Sequence, residues 1–220
     1  MNLTPAKTPK LIKNLFPNLV WELPSKEKII YLTFDDGPTP EITDWTLNIL
    51  KQYKAKATFF CIGKNVEKHP EVFNKIVSED HAIGNHTYNH VKGWKTSSKD
   101  YIKNIVDAQN SINNQQSTIN NRKSKIINLF RPPYGQIKPK QIKALSKLNY
   151  KIIMWSVLSV DWDKAISKEK CLENVINNTS SGSIVVFHDS KKASINMQYA
   201  LPKVLDYYSK KGYVFKRIPE

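Results

Sequence analysis

The sequence predicts an α/β fold: one domain built on a barrel of about seven parallel strands. Three observations predict it. Strand-like and helix-like segments alternate along almost the whole chain, a pattern that demands a parallel sheet with right-handed crossovers. The length of 220 residues suits one domain with a large core. No glycine-rich phosphate fingerprint follows the first strand, which favours a closed barrel over an open doubly wound sheet.

Residues 1–27 mix Lys, Pro and Asn and form a leader packed on the outside, anchored by Leu15-Phe16 and by Leu19, Val20 and Trp21; the domain proper spans 28–218. Apolar, β-branched and aromatic runs place strands near 28–34, 57–61, 81–85, 127–131, 151–156, 183–187 and 213–217. Six helices fall between them, at about 42–54, 68–79, 98–115, 138–148, 168–178 and 196–211. Thr46, Leu47, Ile49, Leu50 and Tyr53 recur at spacings of three and four, and Val72, Phe73, Ile76 and Val77 repeat the pattern. In the last helix Tyr199, Leu201, Val204, Leu205 and Tyr208 form one face, and Gly212 suits its C-cap. The segment Asn110–Lys125, rich in Asn, Gln, Ser and Lys, extends the third helix into an exposed loop.

Composition excludes several classes. With 40% hydrophobic and 24% charged residues and no apolar run near 20 residues, the chain is not an integral membrane protein. Its start lacks the apolar core of a secretory signal, so the sequence alone points to the cytoplasm, the cell envelope requiring export by another route. Cys61 and Cys171 are the only cysteines and read as buried free thiols. The net charge of +15 attracts anionic partners, yet the lysines are dispersed and no nucleic-acid-binding motif accompanies them. The oligomeric state is left open.

Polar residues capable of chemistry recur where strands end, the face that carries active sites in parallel barrels. After the first strand come Asp35-Asp36-Gly37-Pro38, two adjacent carboxylates that cannot both ionise cheaply without a cation. Alone, the same string also serves to start a turn and cap the helix near Ile42. After the third strand, His86 and His90 can turn both imidazoles to one side, a donor type suited to zinc or a similar divalent ion. With a carboxylate on the same rim they make a two-His-one-Asp site. The fourth strand leads into Arg131-Pro132-Pro133-Tyr134, where two prolines without N–H leave Tyr134 as the first free amide donor, fit for an oxyanion. His188 follows the sixth strand and is a candidate general acid, with Asp161 as the carboxylate to orient it. His69 and His81 read as structural.

The ordered set T-F-D-D-G-P, H-T-x-x-H, R-P-P-Y, D-W and V-x-H resembles the polysaccharide deacetylase family, the NodB-homology domain of carbohydrate esterase family 4, over roughly residues 29–218. The resemblance implies a deformed (β/α) barrel and a hydrolase that uses one divalent metal ion, zinc first and cobalt, nickel or manganese as alternatives. Its substrate would be an acetylated glycan of the N-acetylglucosamine type, such as peptidoglycan or chitooligosaccharide. Residue by residue, it implies Asp36, His86 and His90 as metal ligands and Asp35 as catalytic base, oriented by Arg131. Tyr134 would supply its amide to the oxyanion, and Asp161 would orient the acid His188. Thr87 matches the residue that steadies the histidine loop, and Trp162 and Val186 match the pocket walls. Two departures bear on pocket shape: Leu158 stands where the fourth motif commonly has its first Asp, and Val186 where the fifth commonly has Leu. An O-acetyl esterase of xylan-type sugars, a small-amide hydrolase and a glycan-binding protein without catalysis are the rival readings.

Overall fold

The computed structural model describes residues 5–119 and 128–219. Its sheet is parallel throughout. The strands are β1 (Ile29–Asp35), β2 (Ala57–Cys61), β3 (Ala82–Asn85), β4 (Leu129–Phe130), β5 (Lys151–Ile152), β6 (Val157–Leu158), β7 (Ile184–His188) and β8 (Val214–Phe215). They run in the order β5-β4-β3-β2-β1-β7-β6, with β8 paired to the start of β1. The helices are α1 (Lys10–Leu15), α2 (Ile42–Gln52), α3 (Gly63–Lys68), α4 (Pro70–Ser78), α5 (Ser98–Ile119), α6 (Pro139–Lys147), α7 (Lys168–Ile176) and α8 (Ser194–Lys210). This is the deformed barrel expected, curled but not closed by its own strands.

Alternation along β1 decides what points where. Ile30, Leu32 and Phe34 face outward into the layer under the helices, where they meet Leu47, Leu50, Phe73, Leu201 and Leu205. Phe34 lies between Phe59 and Phe187, its partners in register on the flanking strands, with ring centroids 5.0 and 6.2 Å away. Ile29 and Tyr31 turn the other way, into the barrel with Phe60, Leu129, Ile153 and Ile184. By the same period of two, Thr33 and Asp35 enter the barrel at its C-terminal end.

Four details depart from the sequence expectation. The predicted helix 68–79 is α4, and a further short helix, α3, precedes it; the two are separate because His69 stands before Pro70 and takes a non-helical backbone (φ −132°, ψ 56°). The predicted strand 151–156 stops at Ile152, and the chain starts a separate strand at Val157. Between them the Met154 and Trp155 carbonyls turn away from any ladder, one accepting from Arg131 and the other from Thr8. The cap of α2 falls to Glu41, whose N–H donates to Asp44, so Asp35 and Asp36 are free of that role. The predicted loop Asn110–Lys125 continues as α5 to Ile119, and its remainder lies outside the described residues, as do residues 1–4 of the leader and residue 127 of the fourth predicted strand.

The leader does more than lie on the surface. Lys7 bridges to Val157 on β6 and Val20 to Ile153 beside β5, so residues 5–22 fill the seam between the two ends of the sheet. Val20 donates to Ile152 (2.9 Å) and accepts from Met154 (2.7 Å), while Ala6 accepts from Leu158 (2.7 Å). Leu19 and Trp21 are buried, whereas Leu15 and Phe16, expected as anchors, are exposed at 64% and 41%. Among the described residues no helix is long and apolar enough to cross a membrane.

Candidate active site

Asp35 ends β1 inside the barrel, almost fully buried, and its Oδ1 receives the Arg131 Nη1 donor at 2.7 Å. Arg131 is itself completely buried, which is tolerable because each of its side-chain nitrogens donates: to Thr33 Oγ1 (2.7 Å), to Asp35, and to the carbonyls of Ile153 (3.2 Å) and Met154 (2.9 Å). The guanidinium also lies 4.1 Å from the Phe60 ring centroid. Burial alone would raise the Asp35 carboxyl pKa; the charge of Arg131, with His86 and His188, overcomes it and holds the carboxyl below its ordinary value.

Asp36 follows in a left-handed backbone (φ 80°), which turns its carboxylate away from Asp35 toward the histidine loop. Its Oδ1 lies 3.2 Å from His90 Nε2 and 3.7 Å from His86 Nε2, and it is buried with no hydrogen-bond partner. His86 is aimed by its other ring nitrogen, Nδ1, which lies 2.8 Å from the Arg131 carbonyl. Burial depresses the pKa of both imidazoles, that of His86 to about 4, which favours the neutral ring with one lone pair to offer. One ligand atom from each of the three residues lies within 4.8 Å of the others. An orphaned buried carboxylate oxygen facing two neutral imidazoles fits a divalent cation.

Opposite these groups, His188 at the end of β7 holds Asp161 by two bonds: Nδ1 to Oδ1 at 2.8 Å and its backbone N–H to Oδ2 at 2.7 Å. Burial works against charging this imidazole, but Asp161 outweighs it and raises the pKa to about 9. Trp162 sits edge-on to the imidazole at 4.8 Å. Asp36, Thr87, His90, Tyr134 and Val160 all have positive φ, from 56° to 80°, so backbone strain is concentrated in the site loops.

Asp35, Asp36, His86, His90, Trp162 and His188 face one cavity of about 480 Å³, lined also by Pro132, Tyr134, Trp155, Leu158, Val186, Ser190 and Lys192, while Arg131 and Asp161 stand behind it. Every residue singled out in the sequence for the metal, the acid–base pair and the walls is therefore at or immediately behind one cavity. Thr87 is buried beneath the histidine loop, where its Oγ1 accepts from the Val91 N–H at 3.3 Å. His81 is structural in its contacts, accepting from the Ala57 N–H at 3.1 Å.

Sequence reasoning passed over Asp189. Fully buried, it accepts from the Gly37 N–H (3.0 Å) and from the Thr43 hydroxyl (2.5 Å), tying the loop after Asp36 to the strand end that carries His188. A Cβ on Gly37 would stand 2.0 Å from its Oδ2, so only glycine fits there. A carboxylate just after a strand reads as a turn residue; only its burial distinguishes it. Trp155 and Lys192 carried no signal beyond residue type.

A parallel barrel whose C-terminal rim gathers a tethered carboxylate, a cation-ready triad and a carboxylate-backed histidine has the parts that a hydrolase needs. Comparison with known proteins narrows this. The chain belongs to the polysaccharide deacetylase family, whose family model, "Polysaccharide deacetylase", matches residues 22–153. It is 36% identical over 214 residues to a peptidoglycan-N-acetylglucosamine deacetylase of Bacillus cereus, covering 96% of each chain. It is 31% identical over 160 residues to a chitooligosaccharide deacetylase of Azorhizobium caulinodans, covering 73% of each. Among solved structures, a peptidoglycan N-acetylglucosamine deacetylase in complex with 4-naphthalen-1-yl-N-oxidanyl-benzamide superimposes with a TM-score of 0.85 at 33% identity, over 96% of this chain and 95% of that one.

Proposed function

We propose that the chain is a metal-dependent deacetylase that removes N-acetyl groups from N-acetylglucosamine-type glycans such as peptidoglycan or chitooligosaccharide. In this reading residues 28–218 are the catalytic unit and residues 1–27 its leader. One observation carries it: the adjacent Asp35 and Asp36 are separated into a carboxylate tethered to Arg131 and a carboxylate facing His86 and His90. The kinship with glycan deacetylases supports the substrate class.

Asp36, His86 and His90 would hold a divalent ion, zinc first by donor type, which when bound would supply Lewis acidity to the acetyl carbonyl and to a neighbouring water. Asp35 takes a proton from the attacking water, its ionised form secured by Arg131. The Tyr134 N–H donates to the oxygen that gains charge as the tetrahedral centre forms. Asp161 fixes Nδ1 of His188, leaving Nε2 to deliver a proton to the amide nitrogen. The C–N bond breaks, and the products are free amino sugar and acetate. Trp155, Leu158, Trp162 and Val186 wall the acetamide off from bulk water.

The test is acetate release from chitooligosaccharide, peptidoglycan and acetylxylan, each with zinc, cobalt, nickel or manganese and after chelation. Activity on the N-acetylated glycans that chelation removes and metal restores is the expected result. Asp35→Asn is expected to bind metal as before while losing turnover on the order of 10²-fold or more, the usual consequence of losing a general base. Undiminished turnover in that variant overturns the assignment of the base, and release from acetylxylan alone overturns the substrate class.

A further inference from the structure

Beside the active-site cavity lies a second groove of about 380 Å³, walled on one side by the leader and on the other by Trp94, Tyr134, Ile137 and Trp155. Tyr134, Trp155 and Leu158 line both spaces, so the groove opens next to the site. Its lining is almost wholly apolar, and the neighbouring face of α1 adds exposed apolar side chains that border it. No residue of α1 is buried, and Leu11 and Leu15, four apart on one face, are 70% and 64% exposed. Ile12 and Phe16 repeat that spacing on the adjoining row, and Trp94 is 62% exposed across the groove. Monomeric soluble proteins seldom leave such a cluster uncovered without a use.

The chemistry of the rim selects among occupants. The polar atoms at the groove are spent internally: Thr8 Oγ1 donates to the Trp155 carbonyl, Trp21 Nε1 to Phe16 and Trp94 Nε1 to Ile137. Sugar hydroxyls would find few partners there, and Leu, Ile and Phe side chains are not stacking platforms for pyranose rings. The segments that build the groove, residues 5–22, 91–97, 132–138 and 154–158, carry Lys7, Lys10, Lys13, Lys92, Lys95 and Lys138 against the single acid Glu22, which is already paired with Lys13. An apolar stripe with lysines at its border is the pattern of a surface that sits at a lipid boundary. We propose that this face seats the protein on an anionic lipid surface, with Leu11, Leu15, Phe16 and Trp94 entering the boundary between headgroups and acyl chains and the lysines meeting the headgroups. The mouth of the active site then opens toward glycan lying close to a membrane. The proposal stands on the rim alone and holds whether or not the catalytic reading does.

Sedimentation of the full chain with vesicles tests it. Equal parts of phosphatidylglycerol and phosphatidylcholine are expected to bind the protein about tenfold or more tightly than phosphatidylcholine alone, with the difference shrinking as salt rises. Leu11→Ser/Leu15→Ser is expected to weaken binding about tenfold while leaving the melting temperature and acetate release from soluble chitooligosaccharide unchanged. Lys7→Glu/Lys10→Glu is expected to weaken binding to the anionic vesicles only. Absence of binding, equal binding to both vesicles, or binding indifferent to the two serines overturns the proposal. So does a wild-type dimer that Leu11→Ser/Leu15→Ser converts to monomer, which assigns the face to a second copy. Intact vesicle binding with activity lost only on polymeric glycan overturns it too, assigning the face to substrate.

Discussion

Arg131 acts from both ends of one residue: its guanidinium holds the candidate base Asp35, and its carbonyl aims His86 at Asp36. Its removal would leave a buried carboxylate unpaired, a change that typically costs about 3–5 kcal/mol. Across the cavity, Asp161 sets when His188 carries its proton. In the proposed role of general acid His188 works in its protonated form, and Asp161 outweighs burial to raise its pKa to about 9. Turnover is therefore expected to hold through neutral pH and fall as pH rises past that value. Asp161→Asn removes the largest cause of the upward shift, ahead of Asp36 and Asp35, and should move the falling limb to lower pH, as read from a profile of kcat against pH. Asp189 offers a second case. Asp189→Ala leaves the Gly37 N–H and the Thr43 hydroxyl without their acceptor and frees the loop that follows the two site carboxylates. A loss of turnover on the order of 10-fold or more is expected, since misplacement by about 1 Å can cost that and further. Asp189→Asn, which keeps an acceptor, should lie between that variant and the wild type when kcat and melting temperature are measured together. Most of the residues facing the cavity were legible in the sequence because each stands at a strand end within a short motif. Asp189 was not, because the feature that marks it, a carboxylate buried without a cation beside it, exists only after β1 and β7 are paired.

At the scale of elements, the alternation of strand and helix was legible because each element keeps a single hydrophobic period over several residues. The departures come where tertiary partners override that period. Residues 151–156 have the composition of one strand, but Arg131 and Thr8 capture carbonyls that a continuous ladder would need. The leader gave no strand signal, since its bridges at Lys7, Val20 and Glu22 are isolated ones. Its contribution to stability can be weighed. Burial of Leu19 and Trp21 is worth about 1.5–3 kcal/mol each, and deleting residues 1–22 also bares the free edges of β5 and β6. The truncated protein is expected to melt at lower temperature by roughly 10 °C and to scatter light at concentrations where the full chain does not, because exposed edges recruit one another. A thermal melt and static light scattering on the two proteins check this.

For the whole molecule, the candidate metal triad spans β1 and the loop after β3, with the Arg131 carbonyl behind it at the end of β4, so cation binding couples three strands at one rim. A ligand that binds only the folded state stabilises it by mass action, about 2.7 kcal/mol when present at a hundredfold excess over its dissociation constant. For a chain of this size that corresponds to a rise in melting temperature of roughly 5–10 °C on adding zinc. Asp36→Ala should abolish the rise and Asp35→Asn should keep it, which separates ligand from base without any assay of turnover. The seam also bears on biosynthesis. Residues 5–22 leave the ribosome well before their pairing partners, Ile152 to Leu158 and Ser183, are made. Domains commonly begin to fold from the part that emerges first; here residues 5–22 must wait, unpaired, until the barrel they close has been synthesised.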